Sequence, residues 1–154
     1  MVIKHGKPAY KMDLRSLLAP KSIAVVGASE RPGPGRQVLE NLEQLEYEGD
    51  IYPVNPKYRK VASRVCYPSL HDVAAAGKSV EMVAILLGRD AILPVLQEAA
   101  AIGVRAAWAF ASGFGEAGPE GKALQQKLEH FCRQNQIAFC GPNCVGLLNP
   151  VARV

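Results

Sequence analysis

The run Ser22-Ile-Ala-Val-Val-Gly27 constrains the fold more than any other part of the chain. Consecutive apolar residues closed by a glycine suit a central strand with both faces buried. Such a strand needs cover on both sides, and helices supply it when the sheet is parallel. The rest of the chain alternates strand-like and helix-like stretches, which is the pattern of an α/β domain.

Residues 50–54 (Asp-Ile-Tyr-Pro-Val) form a second strand, with Pro53 expected where the sheet does not use the missing N–H. Residues 80–87, 105–110 and 136–140 supply three more strands. Between them lie helical stretches. Val38, Leu39, Leu42 and Leu45 fall on one face, and Gly49 stops that helix. A short helix over 69–76 has Ser69 as its cap. Asp90 caps a helix reaching about Ile102, with Pro94 in its first turns. A helix over 118–135 turns Leu124, Leu128 and Phe131 inward. Residues 13–18 form a further short helix, capped by Asp13 and ended by Pro20. The expected fold is a doubly wound, mostly parallel, Rossmann-like sheet of about five strands with helices on both faces. Residues 1–12 read as a loose arm, 13–150 as the domain, and 151–154 as the start of a linker or a tail.

The chain has 154 residues, enough for one core, and 49% of them are hydrophobic against 21% charged. No apolar run approaches the ~20 residues that span a bilayer. The N-terminus has no apolar stretch behind its charges, so a cytoplasmic location is expected. The net charge of +4 suits a small anion, whereas aromatics at 6% do not form the interleaved basic stripe of a nucleic-acid binder. The four cysteines (Cys66, Cys132, Cys140, Cys144) form no CxxC pair, and the three histidines are far apart, so no metal site is expected.

In a doubly wound sheet, ligands sit beyond the carboxyl ends of the strands. Residues 27–36 (Gly-Ala-Ser-Glu-Arg-Pro-Gly-Pro-Gly-Arg) leave the first strand and open a helix. Glycines let amides approach a phosphate, the helix start adds partial positive charge, and Arg36 adds a full one. Any α/β domain needs some such turn, so its position carries more weight than its glycines. The spacing is not that of the GxGxxG dinucleotide fingerprint. The second strand ends Val54-Asn55-Pro56-Lys57, without the acid that holds a ribose diol in NAD sites. Residues 57–60 hold three cations, which suit a phosphorylated nucleotide or an ordinary solvated turn equally well. Ala111, Ser112 and Gly113 either line a channel or open a helix. His71, His130 and Cys144 lack the neighbours of a catalytic dyad.

Read in order, Ile23-Ala-Val-Val-Gly-Ala-Ser29, Tyr52-Pro-Val-Asn-Pro-Lys-Tyr58, Cys66-Tyr-Pro-Ser69, Ser112-Gly-Phe114 and Gly141-Pro-Asn-Cys144, with Gly146 and Asn149-Pro150, form a recognisable series. It resembles the coenzyme A (CoA)-binding domain of NDP-forming acyl-CoA synthetases, the family of ADP-forming acetyl-CoA synthetases and succinyl-CoA synthetase α subunits. The resemblance runs from about Leu14 to Pro150. It implies CoA as the ligand. Gly27, Ala28, Ser29, Gly35 and Arg36 would cradle phosphates, and Asn55, Pro56 and Lys57 would hold the nucleotide end. Ala111, Ser112 and Gly113 would border the pantetheine arm, with Asn143 towards the thiol. The third strand is followed by Leu87-Gly88-Arg89, where the family has a Val-Pro-Ala-like turn; Gly88 and Arg89 are retained as candidates, with Arg89 a further phosphate contact. In this family the phosphorylated histidine lies in a flavodoxin-like domain and the nucleotide in an ATP-grasp domain, and this sequence stops before both. The expected protein is therefore the CoA-binding part of such a ligase, with those domains or subunits as partners. The alternatives are a freestanding CoA-binding regulator and, less favoured by Asn55 and Lys57, an NAD(H)-binding domain.

Overall fold

The computed structural model describes residues 14–154. The expected arm and the Asp13 cap lie outside the described residues. The elements run α1 (Arg15–Leu18), β1 (Ser22–Val26), α2 (Pro34–Gln44), β2 (Asp50–Val54), β3 (Lys60–Val61), β4 (Arg64–Val65), α3 (Leu70–Ala75), β5 (Met82–Ile85), α4 (Arg89–Ala101), β6 (Ala106–Ala109), a 3-10 turn (Gly115–Ala117), α5 (Pro119–Gln134) and β7 (Ala138–Cys140). Five strands form one sheet in the order β2-β1-β5-β6-β7, and every pair in it is parallel. The chain leaves β1 in one direction to make β2 and returns to its other side to make β5. The gap between β1 and β5 is thus the topological switch point.

The alternation along β1 shows why the run at 22–26 has no polar side. Ala24 and Val26 face a core built with Leu70 and Val73 of α3, Ile92, Leu96 and Ala99 of α4, and Leu128 and Cys132 of α5. Ile23 and Val25 face the other core, with Leu17 of α1, Leu39 and Leu42 of α2, and Trp108 of β6. All five residues of β1 are buried. Helices cover both faces, as the sequence implies.

Pro53 sits on the edge strand β2. The Asp50 amide and the Val54 carbonyl bond towards β1, to Lys21 and Gly27. The two-residue alternation therefore turns the Pro53 nitrogen outward, and its carbonyl accepts from Tyr67.

Three local expectations need correction. Gly88, not Asp90, is the N-cap residue of α4; Asp90 lies in the first turn, where its charge meets the helix dipole. Helix α2 ends at Gln44, and Glu46 rather than Gly49 takes the left-handed turn, with φ 53°. Gly49 serves close packing instead, since a Cβ there would lie 2.5 Å from the Lys21 carbonyl oxygen. The segment after β2 also holds a hairpin, β3–β4, which pairs Lys60 with Val65 and turns at Ala62 and Ser63 with φ of 48° and 62°. Ser69 caps α3 as expected, its hydroxyl accepting from the Asp72 amide.

Candidate functional site

Five loops leave the carboxyl ends of the parallel strands, and their order along the sheet edge follows the strand order. The loop after β1 is held by two close glycine contacts. A Cβ on Gly27 (φ 92°) would lie 2.4 Å from the Leu86 oxygen, and one on Gly35 would lie 2.1 Å from the Gly27 oxygen. Only glycine lets the start of α2, the end of β1 and the end of β5 meet this closely. Gly33, the N-cap of α2, and Gly88, that of α4, have nothing within 4 Å of a built Cβ, so both turns face open space.

Asn55 joins the loops after β1 and β2. Its Nδ2 donates to the Ala28 carbonyl at 2.7 Å, while its Oδ1 accepts from the Lys57 amide at 2.9 Å. Pro56 fills the turn between them. Ser29 Oγ accepts from the Arg31 amide at 2.9 Å and lies 3.4 Å from the Tyr58 hydroxyl. Ser29, Arg31, Asn55, Lys57 and Tyr58 line one open depression of about 400 Å³. Among the described residues, neither the Arg31 nor the Lys57 side chain has a carboxylate partner. Arg31 was not singled out from the sequence. Its signal was the Ser-x-Arg spacing, in which the Ser29 hydroxyl folds the chain back onto the residue two further on.

Arg36 lies elsewhere. It borders a separate depression of about 520 Å³ with Glu30, Pro32, Gly33, Gln37 and Glu40. Its guanidinium donates to Glu40 and to Glu30, each at 2.7 Å. The Glu40 hydrogen bond, reinforced by the fields of Glu40 and Glu30, raises its pKa above the ordinary value. Glu30 also accepts from the Ala62 amide, which ties the β3–β4 hairpin to this loop.

Towards the other edge, Arg89 bridges two loops. Its Nη1 donates to the Gly113 carbonyl at 3.0 Å, and its other nitrogens approach Asp90 and Glu120. The Gly113 and Phe114 amides both donate to Glu116, at 2.6 and 3.2 Å. The Glu116 carboxyl is held below its ordinary value by amide hydrogen bonds: its own first, then those of Gly113 and Phe114. Asn143 reaches this group through backbone pairing with Phe110, beside the bond from the Ala111 amide to the Pro142 carbonyl. Ser112 is exposed next to them. Arg36 aside, the candidates thus form two groups: Gly27, Ala28, Ser29, Gly35, Asn55, Pro56 and Lys57 on one side of the switch point, and Gly88, Arg89, Ala111, Ser112, Gly113 and Asn143 on the other.

His71 and His130 are both exposed. The His71 ring stands 4.0 Å from the Glu98 carboxylate. Among the described residues, no group of three or more His, Cys, Asp or Glu side chains could hold a metal ion, and no helix is long and apolar enough to cross a membrane.

A doubly wound sheet with close-packed glycines at its carboxyl edge, beside cations that have no carboxylate partner among the described residues, is an arrangement whose chemistry suits an anionic, nucleotide-like ligand. The chain belongs to the CoA-binding domain family, whose model matches residues 21–150. It is 38% identical over 138 residues to acetate–CoA ligase [ADP-forming] II of Archaeoglobus fulgidus, covering 89% of this chain and 20% of that protein. It is 35% identical over 148 residues to the α subunit of acetate–CoA ligase [ADP-forming] I of Pyrococcus furiosus, covering 93% and 31%. Among solved structures, an acetyl-coenzyme A synthetase 1 from Ca. Korarchaeum cryptofilum, in complex with phosphate and ADP, superposes with a TM-score of 0.85. Identity there is 34%, over 92% of this chain and 30% of that one. The chain therefore spans between a fifth and a third of the length of these relatives.

Proposed function

We propose that this chain is the CoA-carrying domain of an ADP-forming acyl-CoA synthetase and holds CoA across the loops at the carboxyl edge of its sheet. The observation that carries this reading is the depression at Ser29, Arg31, Asn55, Lys57 and Tyr58. It pairs two cations with hydroxyl and amide groups, and β2 ends without an acid. That chemistry suits the phosphorylated nucleotide end of CoA and opposes the ribose diol of NAD. Lys57 and Arg31 would take the 3′-phosphate, and Ala28 and Ser29, on the loop that the close Gly27–Gly35 contact holds in shape, would receive the diphosphate near the switch point. Gly88, Arg89, Ala111, Ser112, Gly113 and Asn143 would border the pantetheine arm. Arg36 would contribute from the neighbouring depression, where Glu30 and Glu40 already balance its charge.

The fit rests on the glycines as much as on the charges. The open space at Gly33 and Gly88 leaves room for a ligand against the backbone, and Gly27 and Gly35 are filled by the protein itself. CoA supplies the thiol that becomes the thioester. The residues described here bind and orient it. Phosphoryl transfer would come from a flavodoxin-like domain bearing a histidine and from an ATP-grasp domain, as further domains or subunits in a cytoplasmic enzyme. Residues 13–150 would suffice for CoA binding but not for turnover.

Calorimetric titration of the full chain with CoA, dephospho-CoA and NAD tests this. CoA is expected to bind more tightly than NAD, and equal or tighter NAD binding refutes the assignment. Lys57→Ala is expected to weaken CoA about fivefold, since Lys57 is exposed and a solvated charge contact is worth about 1 kcal/mol at most. It should leave dephospho-CoA unchanged. Equal losses for both ligands would move Lys57 away from the 3′-phosphate.

A further inference from the structure

Cys140 and Cys144 lie at the far end of the sheet edge, where β7 gives way to the Gly141-Pro-Asn loop. Their sulfurs are 3.3 Å apart. Neither is a lone surface thiol. Cys140 packs against the core on the α1–α2 side of the sheet. Cys144 stands on the loop, and its thiol donates to the Gly146 carbonyl at 3.3 Å. The backbone between them is anchored to the end of β6. The Cys144 amide donates to the Ala109 carbonyl at 2.9 Å, the Ala111 amide donates to the Pro142 carbonyl at 3.1 Å, and Asn143 pairs with Phe110. The sulfurs are therefore held together by the sheet and do not meet by loop diffusion. Reaching disulfide bonding distance takes a closure of about 1.2 Å, within the reach of side-chain rotation.

We propose that Cys140 and Cys144 form a redox-active dithiol that closes reversibly to an intramolecular disulfide by exchange with low-molecular-weight disulfides. Cys144 attacks first, as a thiolate, on one sulfur of the small disulfide. That S–S bond breaks, and one small thiol leaves carrying the proton that Cys144 has lost. The mixed disulfide on Cys144 then stands next to Cys140. Cys140 gives up its proton and attacks the Cys144 sulfur, the ring closes, and the second small thiol leaves with that proton. Two electrons and two protons pass from the protein to the small disulfide. The order of attack follows from position. Burial, and then the hydrogen bond to Cys144, keep the Cys140 thiol above its ordinary pKa, which suits the resolving partner. The other two cysteines are built-in controls. Cys66 and Cys132 are buried, and burial pushes Cys132 up to about 12.

The test uses the full chain, reduced and then equilibrated without oxygen in glutathione buffers of rising disulfide fraction, acid-quenched, alkylated and analysed by intact mass and peptide mapping. The expected result is the loss of two hydrogens, mapped to a Cys140–Cys144 crosslink, reversed by dithiothreitol, with Cys66 and Cys132 still reduced. Cys140→Ser should instead accumulate one glutathione on Cys144, and Cys144→Ser should take up none. Wild-type protein that stays reduced in excess glutathione disulfide overturns the proposal. So does stable glutathione on Cys144 with Cys140 present, or a crosslink between chains. These wild-type results decide the matter even if a variant fails to fold, and none depends on CoA.

Discussion

The contact between Gly35 and Gly27 can be tested by one methyl group. In Gly35→Ala the helix backbone suits alanine, and propensity alone would favour the change by about 1 kcal/mol. The added Cβ would stand 2.1 Å from the Gly27 oxygen, 2.9 Å from its carbonyl carbon and 3.1 Å from the Ala28 Cα. All three are backbone atoms, and Gly27 cannot retreat. Its amide is bonded to the Val54 carbonyl at 3.0 Å, and on its far side even a Cβ would stand 2.4 Å from the Leu86 oxygen. Helix α2 must therefore back away from β1, loosening Leu39 and Leu42 in the core beneath. Overpacking of this kind costs about 3 kcal/mol at its upper range, so about 2 kcal/mol remains after the propensity gain. For a domain of this size that lowers the melting temperature by roughly 4–8 °C. Gly88→Ala is the matched control: it has an ordinary φ of −63° and no atom within 4 Å, so its change should stay within about 0.5 kcal/mol. Urea and thermal unfolding followed by circular dichroism measure both. A Gly35→Ala protein as stable as wild type, or a Gly88→Ala protein equally damaged, would refute the packing argument.

Glu116 is held ionised by backbone amides, so its contribution is present above its ordinary value of 4.5 and fades as pH falls through the lower folded value. Wild type should therefore lose more stability between neutral pH and about pH 3 than Glu116→Gln does, read from urea midpoints. The β3–β4 turn places Ala62 and Ser63 at positive φ, where Asn-Gly is preferred. The double change Ala62→Asn, Ser63→Gly should raise stability by about 1 kcal/mol, visible as a higher melting temperature; a lower one would contradict the turn geometry.

The five parallel strands were legible because each carries a nearly unbroken apolar run, buried on both faces in the central strand at 23–26, and because each is set off by helical periodicity. The misread features are those where one backbone angle outweighs residue preference. Asp is a good cap, yet the extended residue before α4 is Gly88, and Asp90, two residues on, is stabilised within the first turn by the same dipole. Glu46 holds a left-handed angle that composition would assign to Gly49, because the Tyr47 amide bonds back to the Leu42 carbonyl and closes the helix end. The two-residue strands β3 and β4 lack both length and a Gly turn, so no periodic signal exists for them.

The two arginines of the first loop show where sequence reading stops at a site. Arg36 follows a glycine at a helix start, the position where a phosphate contact is expected, and Arg31 sits in a Pro-rich stretch with no evident role. The fold decides between them through the carboxylates. Arg36 is one turn before Glu40 on α2, an i,i+4 spacing that was present in the sequence, and the hairpin amide of Ala62 swings Glu30 onto its other side. With two carboxylates at 2.7 Å, Arg36 is spent largely on holding the loop to the helix. Arg31 is turned by the Ser29 hydroxyl towards Lys57, where both cations border one depression. A cation's value to an anionic ligand depends on what else neutralises it. That sum includes Glu30, which is brought to Arg36 only when a hairpin some thirty residues further along the chain folds against the loop.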